Sequence, residues 1–427
     1  MPQPSHLRSA ADLLAAILAT PADGARAERR PGAAKQMELH FRAHRELGVR
    51  DRGLIAETVY ACLRNKRLLE HCLPASHRNA IDLVAAQWIR DGMSARAVSD
   101  AGYAGDAAAL AGCLRTLQPA SLPFAVRASL PDWLAERLLA QYGEIEAEAL
   151  AQALSQPATT DLRVNTLKGK REAAQAALAA EAIATEPTPY SPVGLRRRER
   201  TPLFRTQAFQ DGWFEVQDEG SQLLAPLLEP RRGEMIVDFC AGAGGKTLHL
   251  GALMANSGTL YAFDPQAHRL ERLKPRLARA GLSNVRAVAI AHERDDRVQR
   301  LYGKIDRVLV DAPCTGTGTL RRNPDIKWRA LDLATLTATQ ARLLDAAAKL
   351  VKPGGRLVYA TCSLLHEENE AIATGFQERQ QNFSAVPVNT ILARRHIPLE
   401  MPGAALQLLP HRHHTDGFYA AVFERTA

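Results

Sequence analysis

No stretch of this chain approaches the ~18 uninterrupted apolar residues of a membrane span, although 46% of its 427 residues are hydrophobic. Its opening, Met1-Pro2-Gln3-Pro4, has neither the basic start nor the apolar run of a secretory signal. A cytoplasmic protein with no membrane partner is therefore expected. The chain also lacks any Cys-x-x-Cys pair. Its six cysteines (Cys62, Cys72, Cys113, Cys240, Cys314 and Cys362) form no Cys/His set at zinc spacing, so neither a disulfide framework nor a metal site is expected. The run His411-Arg412-His413-His414 sets a guanidinium among imidazoles with no acid directly beside it, and reads as a solvated loop. What is present in excess is positive charge. A formal net charge of +8 attracts phosphate polyanions without being specific for them. Charge does not report on association, and a monomer is expected.

Length and pattern divide the chain into three segments. Residues 1–125 read as an all-α module, because Leu13, Leu14, Ile17 and Leu18 share one helical face and Leu54, Ile55, Val59, Cys62 and Leu63 repeat the spacing. Arg42, Arg45, Arg50, Arg52, Arg64, Lys66 and Arg67 crowd its polar faces, as an RNA-contacting surface or as ordinary solvated charge. Residues 126–225 read as a small α+β segment: a helix from Asp132, a strand Leu162–Leu167, and an Ala-rich helix near 171–183. Arg196, Arg197, Arg198 and Arg200 lie beside it in a turn-rich stretch that could meet an RNA backbone or simply keep a loop soluble.

From 226 to 427, short apolar runs alternate with helical patterns, the signature of a Rossmann-like parallel sheet with crossover helices. The expected strands are Met235–Phe239, Thr259–Phe263, Val285–Ile290, Ile305–Val310, Arg356–Thr361 and Phe418–Phe423, with Gly354-Gly355 as the turn into the fifth. Asp238, Asp264, Asp311 and Cys362 then stand at or just past strand carboxyl ends, which share one edge in an open parallel sheet. Ligands bind along that edge.

The first strand runs into Cys240-Ala241-Gly242-Ala243-Gly244-Gly245-Lys246-Thr247, whose glycines let backbone approach a ligand before a helix begins. Two nucleotide-binding classes compete for this turn. Its GGKT end resembles a phosphate-binding P-loop, but that pattern needs glycine where Cys240 stands. Asp264 favours the other class, since a carboxylate closing the second strand can accept both ribose hydroxyls of an adenosine ligand. An NAD-dependent reductase shares that need, yet calls for no cysteine at two further strand ends.

Cys314, after Asp311-Ala312-Pro313, and Cys362, after Thr361, are expected to face one pocket, whereas Cys62, Cys72 and Cys113 read as structural. A thiolate suits one demanding reaction. Carbon 5 of cytosine is too weak a nucleophile to take a methyl group from a sulfonium until a soft nucleophile adds at carbon 6. Cys362 is the candidate nucleophile and Cys314 the acid/base group for its release. Asp311, if protonated, could donate a hydrogen bond to N3, and Lys246 adds positive charge nearby.

These residues resemble the Sun/Fmu group of RNA (cytosine-5) methyltransferases, of which bacterial 16S ribosomal RNA enzymes are the nearest members. The resemblance rests on DFCAGAGGKT (Asp238–Thr247), DAPCTGTGTLRRNPDIKW (Asp311–Trp328), YATCSLLHEEN (Tyr359–Asn369) and DGFYAAVF (Asp416–Phe423). It extends more weakly through Phe214–Leu228 and Leu162–Lys168, while Asp51–Asn65 looks like the family's NusB-like helical domain. It implies a catalytic pair Cys362 and Cys314, and S-adenosylmethionine wrapped by residues Cys240 to Lys246. It further implies that Asp264 holds the cofactor ribose, that Asp311 lies near cofactor and base, and that 16S rRNA is the partner. The third strand departs from the family pattern: Ala289-Ile290-Ala291-His292 stands where an acid near the adenine is usual, leaving His292 as the residue in that place. The family's usual proline in the glycine loop is replaced by Ala243 or Gly244. A catalytically silent RNA-binding assembly factor is the alternative that these departures leave, beside the P-loop NTPase.

Overall fold

A computed structural model describes residues 3–19, 31–199 and 201–426. Met1, Pro2 and Arg200, named above, lie outside the described residues. The chain forms two compact units: Met1–Pro157 with Thr319–Leu331, and Ala158–Gly318 with Asp332–Ala427.

The first unit is helical. Its main helices, Pro4–Leu18, Val49–His71, Ala80–Arg90 and Ala107–Thr116, bury the apolar faces that the 3.6-residue period marks out, with Leu7, Leu14, Ile55, Val59, Leu63 and Val84 at or near zero exposure. Start signals are local. The Asn79 side chain accepts the N–H groups of Ile81 and Asp82, and Ser94 and Asp106 cap the next two helices. The helix Asp132–Ser155 has its contacts mainly in this unit.

Thr319–Leu331 also completes this unit, far along the chain from the rest of it. Trp328 packs on the helical core and donates Nε1–H to the Leu63 carbonyl at 2.8 Å. Lys327, buried, donates to the carbonyls of Arg64 and Ser129, both at 2.8 Å. Several of the cations singled out on its polar faces are engaged within the unit: Arg52 with the Leu47 carbonyl, Arg64 with Arg321, Lys66 with Glu70, and Arg67 with Leu130 and Asp132.

The second unit holds two sheets. The smaller, in order β2-β3-β1-β4, pairs β1 (Asp161–Val164), β2 (Thr185–Pro187), β3 (Gly194–Arg197) and β4 (Phe214–Val216) antiparallel. The helix Arg171–Ala180 buries Ala174 and Leu178 in the same small core. Arg196, Arg197 and Arg198 are also engaged, by Asp161, Thr160 with the Thr201 carbonyl, and Glu186 respectively.

The larger sheet follows the expected strands closely: β5 (Met235–Asp238), β6 (Thr259–Asp264), β7 (Val285–Ala289), β8 (Ile305–Asp311) and β9 (Val351–Thr361) are parallel, in order β9-β8-β5-β6-β7. β10 (Phe383–Ala385), β11 (Leu406–Leu408) and β12 (Phe418–Arg425) extend it, β12 lying antiparallel to β9. Period-2 alternation sends Val237, Val308, Val310 and Tyr359 to one core, and Ile236, Leu309, Val358 and Ala360 to the other. β9 begins earlier than expected. Gly354-Gly355 forms an irregularity inside the strand, where the register against β8 shifts between Ile305 and Arg307. Strand order reverses between β5 and β8, which opens a crevice at their carboxyl ends.

Candidate active site

The turn after β5 is shaped by glycine. Gly242 and Gly244 take φ of 55° and 86°, in the left-handed region. A Cβ on Gly244 would come 2.2 Å from Leu273, so this turn packs against the helix Ala267–Ala280 only because that position is bare. A Cβ on Gly242 would meet nothing within 4 Å, so the other side of the turn faces open space. The helix Gly245–Leu253 starts there.

Charged groups hold the turn from outside. The buried Arg163 on β1 donates to the Gly245 carbonyl at 2.6 Å and to Gln217, and Arg276 donates to the Ala243 carbonyl while paired with Glu215. The sequence pattern around Arg163, Glu215 and Gln217 carried no sign of this role, because their partners lie far away in the chain. Asp264, at the end of β6, accepts the Gly242 N–H at 2.9 Å and the Gln266 N–H at 2.7 Å. Its carboxylate is therefore built into the base of the turn.

Thr247 donates to Asp238 Oδ2 at 2.7 Å, and Lys246 Nζ lies 2.7 Å from Asp311 Oδ2. A P-loop would use this threonine and lysine for a metal and phosphates. Here both are engaged by strand-end carboxylates. The Asp311 carboxyl, which the sequence offered as a partner for N3, is thus held in an ion pair with Lys246. Burial works against the Lys246 ammonium, but Asp311, Cys362 and Asp238 outweigh it and push its pKa up.

The two candidate cysteines meet. Cys314 Sγ lies 3.4 Å from Cys362 Sγ, and both side chains are partly buried. Hydrogen bonding to Cys362, then burial, then the charges of Cys362 and Glu368 push the Cys314 thiol well above its ordinary pKa. Cys240 is also pushed well up, by burial and then by Asp238, Asp311 and Asp264. The loops that carry the pair are joined: Gly318 N donates to the Cys362 carbonyl at 2.9 Å and Gly417 N to the Gly318 carbonyl at 2.8 Å. A Cβ on Gly318 would sit 2.2 Å from the Gly417 carbonyl oxygen, which explains why glycine stands there.

His292 lies in an exposed turn, where Nδ1 accepts the Arg294 N–H at 3.1 Å. The link from that turn to the site is through backbone, Ile290 N donating to the Asp264 carbonyl at 3.2 Å. Of the remaining cysteines, Cys62 is buried and donates weakly to the Leu83 carbonyl, and burial with a neighbouring Cys113 pushes Cys72 up to about 12.

Residues 225–424 match the family described as 16S rRNA methyltransferase RsmB/F, and residues 130–203 match the ferredoxin-like domain of RsmF/B-like methyltransferases. The chain is 31% identical over 408 residues to a probable ribosomal RNA small subunit methyltransferase B of Bacillus subtilis, covering 88% of this chain and 90% of that protein. A protein of the same description from Synechocystis is 37% identical over 300 residues, 70% of this chain and 67% of its own length. The crystal structure of a methyltransferase homolog from Pyrococcus horikoshii superposes with a TM-score of 0.62 at 30% identity, over 72% of this chain and 100% of that one. A strand-end glycine turn, paired carboxylates and two cysteines thus lie within a matched sequence that spans most of the chain, and the chain belongs to the 16S rRNA methyltransferase RsmB/F family.

Proposed function

We propose that this chain methylates carbon 5 of a cytosine in RNA, with 16S rRNA as the substrate class, through a transient bond between Cys362 and cytosine carbon 6. S-adenosylmethionine is the methyl donor of the family and supplies an electrophilic methyl group on a sulfonium. The turn from Cys240 to Lys246 suits such a ligand: Gly242 borders open space, and the carboxylate of Asp264 stands at the end of the neighbouring strand. In this reading residues Cys240, Ala241, Gly242, Ala243, Gly244, Gly245 and Lys246 contact the cofactor. Asp264 and His292 flank its nucleoside part, and Asp311 stands between cofactor and base.

The observation that carries the reading is the 3.4 Å approach of the two thiols. Cys362, as thiolate, forms a bond to carbon 6, and the pair of electrons from the 5,6 double bond makes carbon 5 nucleophilic. Lys246, paired with Asp311, is the cation available to the charge that spreads over the ring. Once carbon 5 carries the methyl group and gives up its proton to a base, the double bond re-forms and the carbon–sulfur bond breaks. Cys314, still protonated, donates to the departing Cys362 sulfur. The helical unit and the small antiparallel sheet are assigned to RNA binding, with 1–125, 126–225 and 226–427 as the functional divisions.

Bisulfite sequencing of RNA from cells with and without the gene, complemented by each cysteine variant, tests substrate and mechanism together. Cys362→Ala should leave the mark absent, and Cys314→Ala should accumulate protein bound covalently to RNA. Restoration of the mark by Cys362→Ala would overturn the assignment of the nucleophile.

A further inference from the structure

Beneath the two cysteines lies a carboxylate that the mechanism above does not use. Glu368, fully buried in the short turn His366–Glu368, accepts hydrogen bonds from both loops that carry the thiols. From the first it takes Thr315 N at 2.8 Å and Thr315 Oγ1 at 2.6 Å, one residue beyond Cys314. From the second it takes the hydroxyl of Ser363, one residue beyond Cys362. Gln340, on the helix Leu333–Leu350, donates Nε2–H both to Glu368 and to the Pro313 carbonyl, each at 2.9 Å, and so fixes the near side of the first loop. The turn itself is anchored: Tyr359 OH donates to the Glu368 carbonyl at 2.6 Å, and Asn369 bonds the Ser363 carbonyl and the Thr361 hydroxyl.

We propose that Glu368 is a positioning residue for the reaction, holding the Cys314 and Cys362 loops at their working separation through Thr315 and Ser363. The proposal rests on the cysteine roles given above. Desolvating a carboxylate is costly, and neutral groups of similar shape often serve a core at least as well. The two oxygens of Glu368 each accept two bonds, four in all, which suits a carboxylate better than an amide. The position of this carboxylate, with each arm ending next to a reactive thiol, points to a use for its charge. The negative charge disfavours ionisation of Cys314, in the same direction as the bond to Cys362 and burial, while Tyr359, which also faces Cys314, stays neutral. Glu368 thereby fixes the distance between the sulfurs and helps keep the release acid protonated.

The test is Glu368→Gln, which keeps the shape and removes the charge, with Ser363→Ala to cut the arm to Cys362 alone. The full-length proteins are checked for folding by thermal melting, incubated with rRNA and S-adenosylmethionine, and assayed for covalent protein–RNA complex. In parallel, alkylation of Cys314 by iodoacetamide is followed against pH by mass spectrometry. Glu368→Gln is expected to raise the trapped fraction by about tenfold, less than the roughly 10²–10⁴-fold that a positioned acid itself contributes, and to move the Cys314 alkylation midpoint to lower pH. Ser363→Ala is expected to raise trapping in the same direction. A folded Glu368→Gln protein with unchanged trapping and an unchanged alkylation midpoint would overturn the proposal, leaving Glu368 a structural cross-link. Cys314→Ala, run alongside, separates the two readings: if it traps no RNA the release role fails, while the alkylation midpoint still decides the case of Glu368.

Discussion

The Lys246 ammonium and the Asp311 carboxylate, 2.7 Å apart, tie the glycine turn after β5 to the end of β8, across the point where strand order reverses. Lys246 also lies in the field of Cys362 and within 5.6 Å of the Phe418 ring centre. Lys246→Met leaves the Asp311 carboxylate without its ion-pair partner. Methyl incorporation from labelled cofactor should fall about 10²–10³-fold, the usual effect of deleting one preorganised donor. Retention of activity near the parent level would show that the ammonium does not serve the reaction.

Asp238 makes a pH-dependent contribution to stability. Burial pushes its pKa up to about 7; Thr247 and Lys246 oppose this, and repulsion from Asp311 and Asp264 adds to it. Its Oδ1 has no hydrogen-bond partner. The folded protein therefore holds this proton more tightly than an unfolded carboxyl of pKa 3.8. The stabilisation is full below that value and is lost as pH rises toward about 7. Differential scanning calorimetry from pH 4 to 7.5 should show a steeper fall in Tm for the parent than for Asp238→Asn. Parallel curves would refute the assignment.

Lys327 tests the helical unit separately. Its Nζ donates to two buried carbonyls, and burial, with Arg64 nearby, pulls its pKa down to about 7. Lys327→Met keeps an apolar stem but leaves the carbonyls of Arg64 and Ser129 without that donor. Each such loss costs about 1–3 kcal/mol, so urea denaturation should show a drop of that order. An unchanged midpoint would mean that Thr319–Leu331 does not stabilise the unit.

Gly244→Ala addresses the turn. At φ 86° an added Cβ is strained and meets the Leu273 side chain at 2.2 Å, so that side chain or the turn must shift. A left-handed conformation costs a residue with a Cβ about 1–2 kcal/mol, equivalent to about five- to thirtyfold in affinity if the turn moves to relieve it. Calorimetry should find S-adenosylmethionine binding weakened by that factor. Full affinity in the variant would place the cofactor elsewhere.

Much of the parallel sheet was legible in sequence because its strands are short apolar runs with branched residues, ended by charged or reactive side chains. Asp238, Asp264, Asp311 and Cys362 were expected at strand ends or just past them, and lie there. Glu368 sits inside a quoted motif, yet its role was hidden, because its donors come from positions 315, 340 and 363. The ion pair of Asp311 was hidden for a similar reason: Lys246 stands 65 positions away. The short strands β10 and β11 were missed, three residues being too few to show a period.

Local chemistry, written in the order of residues, determined which segments are strands, where glycine must turn the chain, and that two cysteines follow strands. Proximity decided the rest. Only folding brought Cys314 to 3.4 Å from Cys362, placed a carboxylate beneath both loops, and joined Thr319–Leu331 to a helical core assembled from residues more than 150 positions earlier. Periodicity acts over a few residues and is readable in one dimension, whereas charge, burial and hydrogen bonding depend on distances that exist only once the chain has closed on itself.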